Sequence, residues 1–375
     1  MSDYTIRRFS ESDIESFLEL CRSVFGNSMP SDVFEWKYLN NPYVKTHPIF
    51  VAEENYSGKV VGARPHLALE LENNNWTGLA LQPCDTMVHQ NHRHQGLFQR
   101  MTLNAVEYYR DREPSLMFNF PNEKSLPGNL KMGWKIVGNA EIQYRFNNLH
   151  AGAKQFASER AGILTRTATP LAETFFSVLD EIPLKSERNI YDSYPHSSKL
   201  DVEILSDIPA SGLQWRPPDN ERLHLHRGQE YFDWRFGRPS TEYIIYRLKQ
   251  NDTVIALLIT KPEVLEEATM LSIVDAVPAV SPETISALSG WGHLLRAAIQ
   301  NNESADIIRM FSGTIPDSVA QRFGFIANTS LPLSLVSSPT KLVALPLYSA
   351  KENIAQTNMF SIENWSLPLA AWDVT

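Results

Sequence analysis

Cysteine is scarce in this chain. Cys21 and Cys84 are its only two, and they lie far apart in the sequence. One disulfide between them stays open, but the pair excludes a disulfide framework and a cysteine-rich zinc site. Long apolar runs are also missing, since none approaches the roughly 18 to 20 residues of a membrane span. The N-terminus, MSDYTIRRFS, lacks the apolar stretch of a signal peptide, so we expect a soluble, cytoplasmic protein.

An excess of positive charge is missing as well. The formal net charge is -9, which argues against a general nucleic-acid or anionic-membrane binder but leaves room for a local basic pocket. Hydrophobic residues make up 43% of the chain and charged residues 21%, as in an ordinary globular protein. A length of 375 residues predicts two or three domains.

The first 150 residues predict an α+β layered domain. YTIRRF alternates like a short strand, and SESDIESFLELCRSVFG places apolar residues on one face of a helix. Ser10 and Asp13 resemble a capping box, and Gly26 suits the position after the helix. IFVAEE and KVVGARPHLALEL predict a hairpin, and LALQPCDTMVH a third strand. A helix that begins near Gly96 and ends near Arg112, the strand SLMFNF, a short helix and the closing strands KIVGNAEIQYRF complete the domain.

Residues 199–375 repeat the first half weakly but in the same order. YFDWRFGRP echoes VFEWKYLNNP, TMLSIVDAV takes the place of PCDTMVH, and RFGFI takes the place of KMGWKI. Such long-period repetition points to two copies of one domain. Because FEWKY and FDWRF match, their aromatic residues are expected to pack, although Trp36, Tyr38 and Tyr43 could also form the floor of a pocket in the first domain. Residues 151–198 between the copies predict a helical connector, with an amphipathic helix around Leu171, Phe175 and Leu179.

The stretch DTMVHQNHRHQGLFQRM, residues 85–101, joins a strand that ends near His89 to a helix that begins near Gly96. The first N–H groups of a helix lack partners within the helix, and the helix dipole favours negative charge there. A glycine lets a phosphate approach the backbone. The loop therefore predicts an anion site, although an R-x-x-G tetrapeptide alone is a weak signal.

In this context, roughly residues 4–146 resemble the GNAT N-acetyltransferase superfamily. Its pattern is an apolar strand ending in V-x-P, then R/Q-x-x-G-x-G/A opening a helix, and further on a second strand and a G-F pair. The residues that fill these motifs are Val88, Arg93, Gly96 and Phe98, followed by Gly133 and Trp134. Gln90 stands where proline is frequent, and Phe98 replaces the last small residue.

The resemblance implies an α+β fold of two tandem GNAT-like domains, each a mixed, mostly antiparallel twisted sheet flanked by helices. Residues 1–150 would form the catalytic, acyl-CoA-binding domain, and residues 199–375 a degenerate copy. In that copy the loop PAVSPETISALSG has no R/Q-x-x-G-x-G pattern. Its expected role is to wall the acceptor site or to stabilise the first domain.

The resemblance also implies acetyl-CoA as the acyl donor. The backbone of Met87 and Val88 would pair with the pantetheine arm, and the N–H groups of residues 93–98 would hold the pyrophosphate, with His94 donating to phosphate. The residues expected to bind CoA are Met87, Val88, Arg93, His94, Gln95, Gly96, Leu97, Phe98 and Asn122. For Asn122 the alternative is an Asx turn before Ser125.

The implied reaction is direct transfer of the acyl group to a primary amine. Holding the two reactants together supplies much of the rate. Family members use a carboxylate or water as base and a tyrosine as acid. Asp85 is the expected base, with His89 as a rival and an orienting role on the strand as the structural alternative. Leu130 occupies the usual tyrosine position, so the acid is unassigned.

Three other interpretations compete with this one. His89, His92 and His94 could supply nitrogen ligands to zinc, but irregular loop positions rarely converge, so no metal is expected. A non-catalytic acyl-CoA-binding or regulatory protein stays open because the tyrosine is absent. A Fem-type aminoacyl transferase, also a tandem of this fold, generally lacks a good CoA loop. The expected partner is a small-molecule or peptide amine, with no nucleic acid and no membrane; the acceptor, acyl length and homo-oligomerisation stay open.

Overall fold

The computed structural model describes residues 3–110, 112, 114–161, 200–208, 221–287, 289–331, 333–335, 337, 339–347 and 358–372. The amphipathic helix predicted around Leu171, Phe175 and Leu179 lies outside these residues. Within the part described, no helix is both long and apolar enough to cross a membrane.

Strands dominate the fold. In chain order they are β1 (Tyr4–Arg8), β2 (Ile49–Glu54), β3 (Val60–Asn73), β4 (Trp76–Pro83), β5 (Met87–Val88), β6 (Leu116–Asn119), β7 (Lys135–Ala140), β8 (Ile142–Phe146), β9 (Leu200–Leu205), β10 (Leu223–Leu225), β11 (Ile244–Gln250), β12 (Thr253–Val264), β13 (Thr269–Pro278), β14 (Ile307–Phe311), β15 (Ile326–Ala327), β16 (Thr340–Pro346) and β17 (Trp365–Ser366). The α-helices are α1 (Ile14–Phe25), α2 (Ser31–Phe34), α3 (Leu97–Tyr109), α4 (Leu126–Lys131), α5 (Leu149–Ala161), α6 (Gln229–Phe236), α7 (Pro282–Ala287), α8 (Gly290–Asn301) and α9 (Asp317–Arg322).

These elements form a mixed α+β protein with two mostly antiparallel sheets flanked by helices. The first sheet runs β1-β2-β3-β4-β6-β16-β7, and the second runs β9-β11-β12-β13-β14-β8-β15. Position by position the two orders correspond, and each sheet has one parallel pair along this path, β4 with β6 and β13 with β14. The tandem arrangement expected from the repeated sequence is therefore present in the fold.

The two sheets exchange a strand. β8 leaves the first half and pairs with β14 and β15 of the second sheet, while β16 returns from the second half to lie between β6 and β7. The prediction that KIVGNAEIQYRF closes the first sheet is thus wrong for its second strand. Only Glu141 separates β7 from β8, and a hairpin needs about two loop residues, so the chain continues into the other sheet. The sheets consequently share strands across the boundary predicted at residue 150.

Trp36 and Trp234, the tryptophans of FEWKY and FDWRF, meet where the two halves face each other. Their rings stack with centroids 5.4 Å apart and an interplanar angle of 17°. The Trp36 Nε1 donates to the Trp234 carbonyl at 2.6 Å, and the Trp234 Nε1 donates to the Trp36 carbonyl at 2.9 Å. This reciprocity is what a two-fold relation between the repeats produces. The packing role predicted for both aromatic motifs is confirmed.

Helices α1 and α3 cover the first sheet as their apolar periodicity predicts. Ser10 and Asp13 form the expected capping box, and Gly26 ends α1 in the left-handed region at φ 81°. Helix α3 buries Met101 and Ala105 against the sheet. Since α3 begins directly after residues 93–96, this packing holds that loop at the end of β5.

Candidate functional site

Asp85 lies at a break in the strand predicted from LALQPCDTMVH, which the structure divides into β4 and β5. The strand pairs with β3 up to Pro83, is interrupted over residues 84–86, and resumes as β5 at Met87. Asp85 lies in this interruption with φ 39°, a conformation that L-residues rarely adopt. Backbone strain of this kind, about 1–3 kcal/mol, is concentrated at functional sites. The strained backbone marks the space next to Asp85 as a candidate functional site.

The loop before α3 opens onto a cleft of about 330 Å³, here called the Gly96 cleft, whose lining includes Arg93, His94, Gly96, Phe98, Gly128 and Lys131. His94 and Gly96 both have positive φ, 64° and 70°. A Cβ built on Gly96 would meet nothing within 4 Å. The N–H groups at the start of α3 therefore adjoin open space, as an anion site requires.

The Gly96 cleft is basic in an acidic protein. Its lining includes Arg93 and Lys131 together with His92 and His94, and it contains no aspartate or glutamate. The whole chain, by contrast, carries a net charge of -9. Local positive charge at a helix N-terminus favours a phosphate-bearing ligand.

Not all the predicted CoA residues line this cleft. Val88, Arg93, His94, Gly96, Leu97 and Phe98 do so. Met87 is fully buried, and Gln95 is exposed outside the lining. The N–H of His89 donates to Val61 on β3, so by alternation the backbone groups of Val88 point away from β3. Arg93 Nε donates to the Val88 carbonyl at 3.3 Å.

Beyond Phe98 lies a second space of about 560 Å³, here called the Asp85 chamber, whose lining includes Arg64, Asp85, Phe98, Asn122, Lys124 and Trp372. Phe98 and Gly128 line both spaces. A Cβ on Gly128 would lie 2.9 Å from the Phe98 ring, so only glycine leaves room for that ring. The large residue that replaces the family's small one therefore stands between the cleft and the chamber.

Asp85 is held by two partners. Its Oδ2 accepts from Lys37 Nζ at 2.7 Å and from the Tyr38 hydroxyl at 2.6 Å. The side chain of Lys37 is 8% exposed and that of Asp85 is 23% exposed. Burial works against ionisation of the carboxyl, but the charge and hydrogen bond of Lys37 and the hydrogen bond of Tyr38 outweigh it and lower the pKa of Asp85. Asp85 is thus a firmly ionised carboxylate and a weak base.

The structure also locates three residues whose roles were left open. Asn122 Oδ1 accepts from the N–H groups of Lys124 and Ser125, which is the Asx turn weighed as its alternative. Leu130 is 39% exposed and lines neither space. His92 Nδ1 lies 3.1 Å from the Tyr4 hydroxyl. Among the residues that the structure describes, no three His, Cys, Asp or Glu side chains come together as a metal site would need.

The corresponding place in the second sheet is closed. There Asp275 lies beside the bulge between β12 and β13 and is fully buried. Arg227 grips it with two hydrogen bonds of 2.9 and 2.8 Å. The carboxylate at this position of the second half is therefore a structural ion-pair partner.

Several residues of the site could not be found from the sequence. Lys131 and Gly128 reach the cleft from α4, and Lys37 reaches Asp85 from a helical turn about fifty positions earlier. Trp372 reaches the chamber from the last described segment, which Gln82 anchors through a 2.9 Å hydrogen bond to the Ala371 carbonyl. Lys37 stands in the FEWKY motif, but the aromatic residues of that motif favour a packing role, so the sequence does not mark Lys37 as a site residue.

Comparison with known proteins identifies a domain family for the first part of the chain. Residues 5–137 match the family model of the acetyltransferase (GNAT) domain. Among curated proteins, none matches the sequence.

Solved structures share the fold along most of the chain. One is a probable N-acyltransferase from Enterococcus faecalis V583, with a TM-score of 0.60, 8% identity, and coverage of 92% of this chain and 73% of that one. Another is a GCN5-related N-acetyltransferase from Anabaena variabilis ATCC 29413, with a TM-score of 0.55, 12% identity, and coverage of 92% of this chain and 73% of that one. A third is the N-myristoyltransferase of Saccharomyces cerevisiae with bound myristoyl-CoA and inhibitors, with a TM-score of 0.51, 11% identity, and coverage of 92% of this chain and 80% of that one. Such low identities show the fold alone. The family match therefore assigns a GNAT acetyltransferase domain to residues 5–137.

Proposed function

We propose that the protein is an N-acyltransferase that moves an acetyl or other acyl group from acyl-CoA to a primary amine by direct transfer. The observation that carries the proposal is the pair of adjoining spaces. The basic Gly96 cleft suits the phosphates of CoA, and the Asp85 chamber beyond Phe98 suits the thioester and the acceptor. The GNAT family match and an acyltransferase fold support it.

In this proposal the backbone of the loop and α3 binds the donor. The pyrophosphate lies against the N–H groups of residues 96–98, with Arg93, His94 and Lys131 around it. Val88 offers backbone groups to the pantetheine arm, which then passes Phe98 to reach the chamber. No metal takes part.

The chemistry requires the amine nitrogen to form a bond with the thioester carbonyl carbon while the carbon–sulfur bond breaks. The amine loses a proton, and the leaving thiolate gains one. Asp85 faces the chamber and is the candidate to receive the proton, directly or through water. Because its pKa is lowered, we expect Asp85 to contribute mainly by stabilising the positive charge that develops on the nitrogen of the neutral amine as it attacks.

A non-catalytic acyl-CoA-binding protein is the second candidate. Two observations favour it: Leu130 stands at the usual tyrosine position, and Asp85 is already engaged by Lys37 and Tyr38. Both candidates require CoA binding, so turnover has to separate them. A cytoplasmic location fits either one, whereas a small-molecule or peptide amine as acceptor fits only the enzyme.

The test is a titration with acetyl-CoA of the wild type, Gly96→Glu and Gly58→Glu. Gly96 and Gly58 have φ of 70° and 67°, and a Cβ on either meets nothing within 4 Å. Both variants therefore bear similar backbone strain, but only Gly96→Glu places a carboxylate in the cleft. We expect at least about tenfold weaker binding for Gly96→Glu and little change for Gly58→Glu.

Absence of saturable binding by the wild type at millimolar acetyl-CoA would refute the proposal. If acetyl-CoA binds, thiol release measured across a panel of amines separates an enzyme from a binding protein. Asp85→Asn that leaves turnover intact would remove Asp85 from the proton transfer.

A further inference from the structure

The Asp85 chamber contains a buried arginine whose charge is not matched. Arg64 lies on β3 and is 2% exposed. Its Nη1 donates to Thr86 Oγ1 at 2.6 Å, but its Nε and Nη2 have no hydrogen-bond partner among the described residues. Within that same part of the chain no carboxylate forms a salt bridge with it. Burial lowers the pKa of Arg64 to about 10, so the group remains charged at neutral pH.

A cation–π contact of this guanidinium leaves its Nε and Nη2 groups unsatisfied. The Phe98 ring lies 4.8 Å from Arg64 Cζ, a cation–π distance. The ring attracts the guanidinium charge, but it is not a hydrogen-bond partner of Nε or Nη2. The unsatisfied edge still requires an oxygen acceptor.

The fold itself does not require an arginine here. In the first sheet the bulge in β3 is at Val61, and in the second sheet the matching bulge in β12 is at Ile255. Three residues further along lie Arg64 and Leu258, and their partners are Phe50 and Tyr246. Leu258 is fully buried in the apolar core beneath α8. The same position in the same fold is thus occupied by a leucine.

A buried charge without a partner is costly, and residues of this kind are usually paired or bind a ligand. The chamber that Arg64 lines also contains Asp85 and has room for a small molecule. Arginine binds carboxylates in two-pronged fashion through the edge that is unsatisfied here. A carboxylate would thus satisfy both Nε and Nη2.

We propose that the substrate occupying the Asp85 chamber carries a carboxylate that binds Arg64, either on the acceptor, as in an amino acid, or on the acyl group, as in a dicarboxylic acyl-CoA. This rests on the proposed acyl transfer and names its substrate class. With an amino acid as acceptor, Asp85 and Arg64 would hold its two opposite charges.

The test compares the wild type with Arg64→Leu and Arg64→Lys. Leucine is chosen because Leu258 occupies the matching position in the second half. In the acceptor arm, kcat/KM is measured with acetyl-CoA for lysine against lysinamide and for phenylalanine against phenylalaninamide. In the donor arm, acetyl-CoA is compared with succinyl-CoA on one uncharged-side-chain amine. The ratio of the two kcat/KM values is calculated for each substrate pair and then compared between variants. This comparison removes differences in intrinsic amine reactivity.

We expect one arm to show a preference for the carboxylate member that falls at least about tenfold in Arg64→Leu and partly in Arg64→Lys. The melting temperature of Arg64→Leu should equal or exceed that of the wild type, because an unmatched buried charge is removed. Unchanged ratios in both arms refute the inference. So does a lower melting temperature with equal loss for both members of every pair, which is the result of a structural role.

Failure of the acyl-transfer proposal is recognised separately, since the wild type would then bind no acetyl-CoA or would release no thiol with any amine of the panel. In that case the carboxylate site is tested by melting temperature with millimolar succinate and with neutral succinamide. Succinate that stabilises the wild type but not Arg64→Leu, with no effect of succinamide on either, supports the site. Equal responses of both proteins refute it.

Discussion

The ion pair between Lys37 and Asp85 gives a prediction that can be worked from the structure. At a 2.7 Å separation of Lys37 Nζ and Asp85 Oδ2, an effective dielectric constant of about 20 gives an attraction of about 6 kcal/mol before desolvation is subtracted. Removing one partner of a buried pair typically costs about 3–5 kcal/mol, because the other charge stays buried alone. The two partners differ in exposure, so the two single substitutions should differ in cost.

Asp85→Asn leaves the Lys37 ammonium, 8% exposed, without its counter-charge, and we expect a loss of about 3 kcal/mol in the free energy of unfolding. Lys37→Met leaves the Asp85 carboxylate, which is 23% exposed and still accepts from Tyr38, so its cost should be nearer 1–2 kcal/mol, by the same reasoning about partial solvation. The double variant should cost about 2 kcal/mol less than the sum, since both changes remove one interaction.

The pH dependence follows from the lowered pKa of Asp85. A carboxyl whose pKa is lower in the folded protein stabilises it fully above the unfolded pKa of about 4, and this stabilisation is lost as pH falls through the folded value. The difference in stability between wild type and Asp85→Asn should therefore stay constant from pH 7 to pH 5 and shrink in more acidic solution.

Urea unfolding of the four proteins, followed by tryptophan fluorescence at several pH values, measures all of these quantities. Additive single costs would show that Lys37 and Asp85 are not coupled. A difference between wild type and Asp85→Asn that persists undiminished to pH 3 would show that the charge of Asp85 is not what stabilises the fold.

Two further predictions concern packing. Trp36→Ala and Trp234→Ala should each cost about 3–5 kcal/mol in urea unfolding, and the double variant clearly less than the sum, because one stack and its reciprocal hydrogen bonds are lost either way; full additivity would contradict the contact. Phe98→Ala should widen the passage between cleft and chamber and raise kcat/KM for long-chain relative to short-chain acyl-CoA, with Leu103→Ala on the same helix as control; an unchanged chain-length profile would contradict a gating position for Phe98.

The elements that depend on local patterns could be predicted from the sequence. The alternation of YTIRRF, the capping box at Ser10 and the helical face of α3 each depend on residues within a few positions of one another. The loop before α3 belongs to the same class, because its glycine and the helix start directly follow a strand. These local features locate the loop that lines the Gly96 cleft, and its binding of an anion stays a prediction.

The interior of the Asp85 chamber could not be predicted, for a physical reason. The contacts of Asp85 with Lys37 span 48 residues, and Trp372 reaches the chamber from the far end of the described chain. Such pairs are set by sheet register and by tertiary packing, which leave no periodic signal. Arg64 was hidden differently, since in KVVGARPHLALEL one charged residue in an apolar run looks like a solvent-facing strand position.

The strand exchange places residues of the second half at the Asp85 chamber. Because β16 separates β6 from β7, the second half supplies a strand that lies beside β6, and β6 ends at the chamber through Asn119. Trp372 adds a wall from the same half. The second copy has no R/Q-x-x-G-x-G loop, and its matching carboxylate, Asp275, is locked by Arg227. The described residues of the second half thus complete both the first sheet and the wall of the Asp85 chamber.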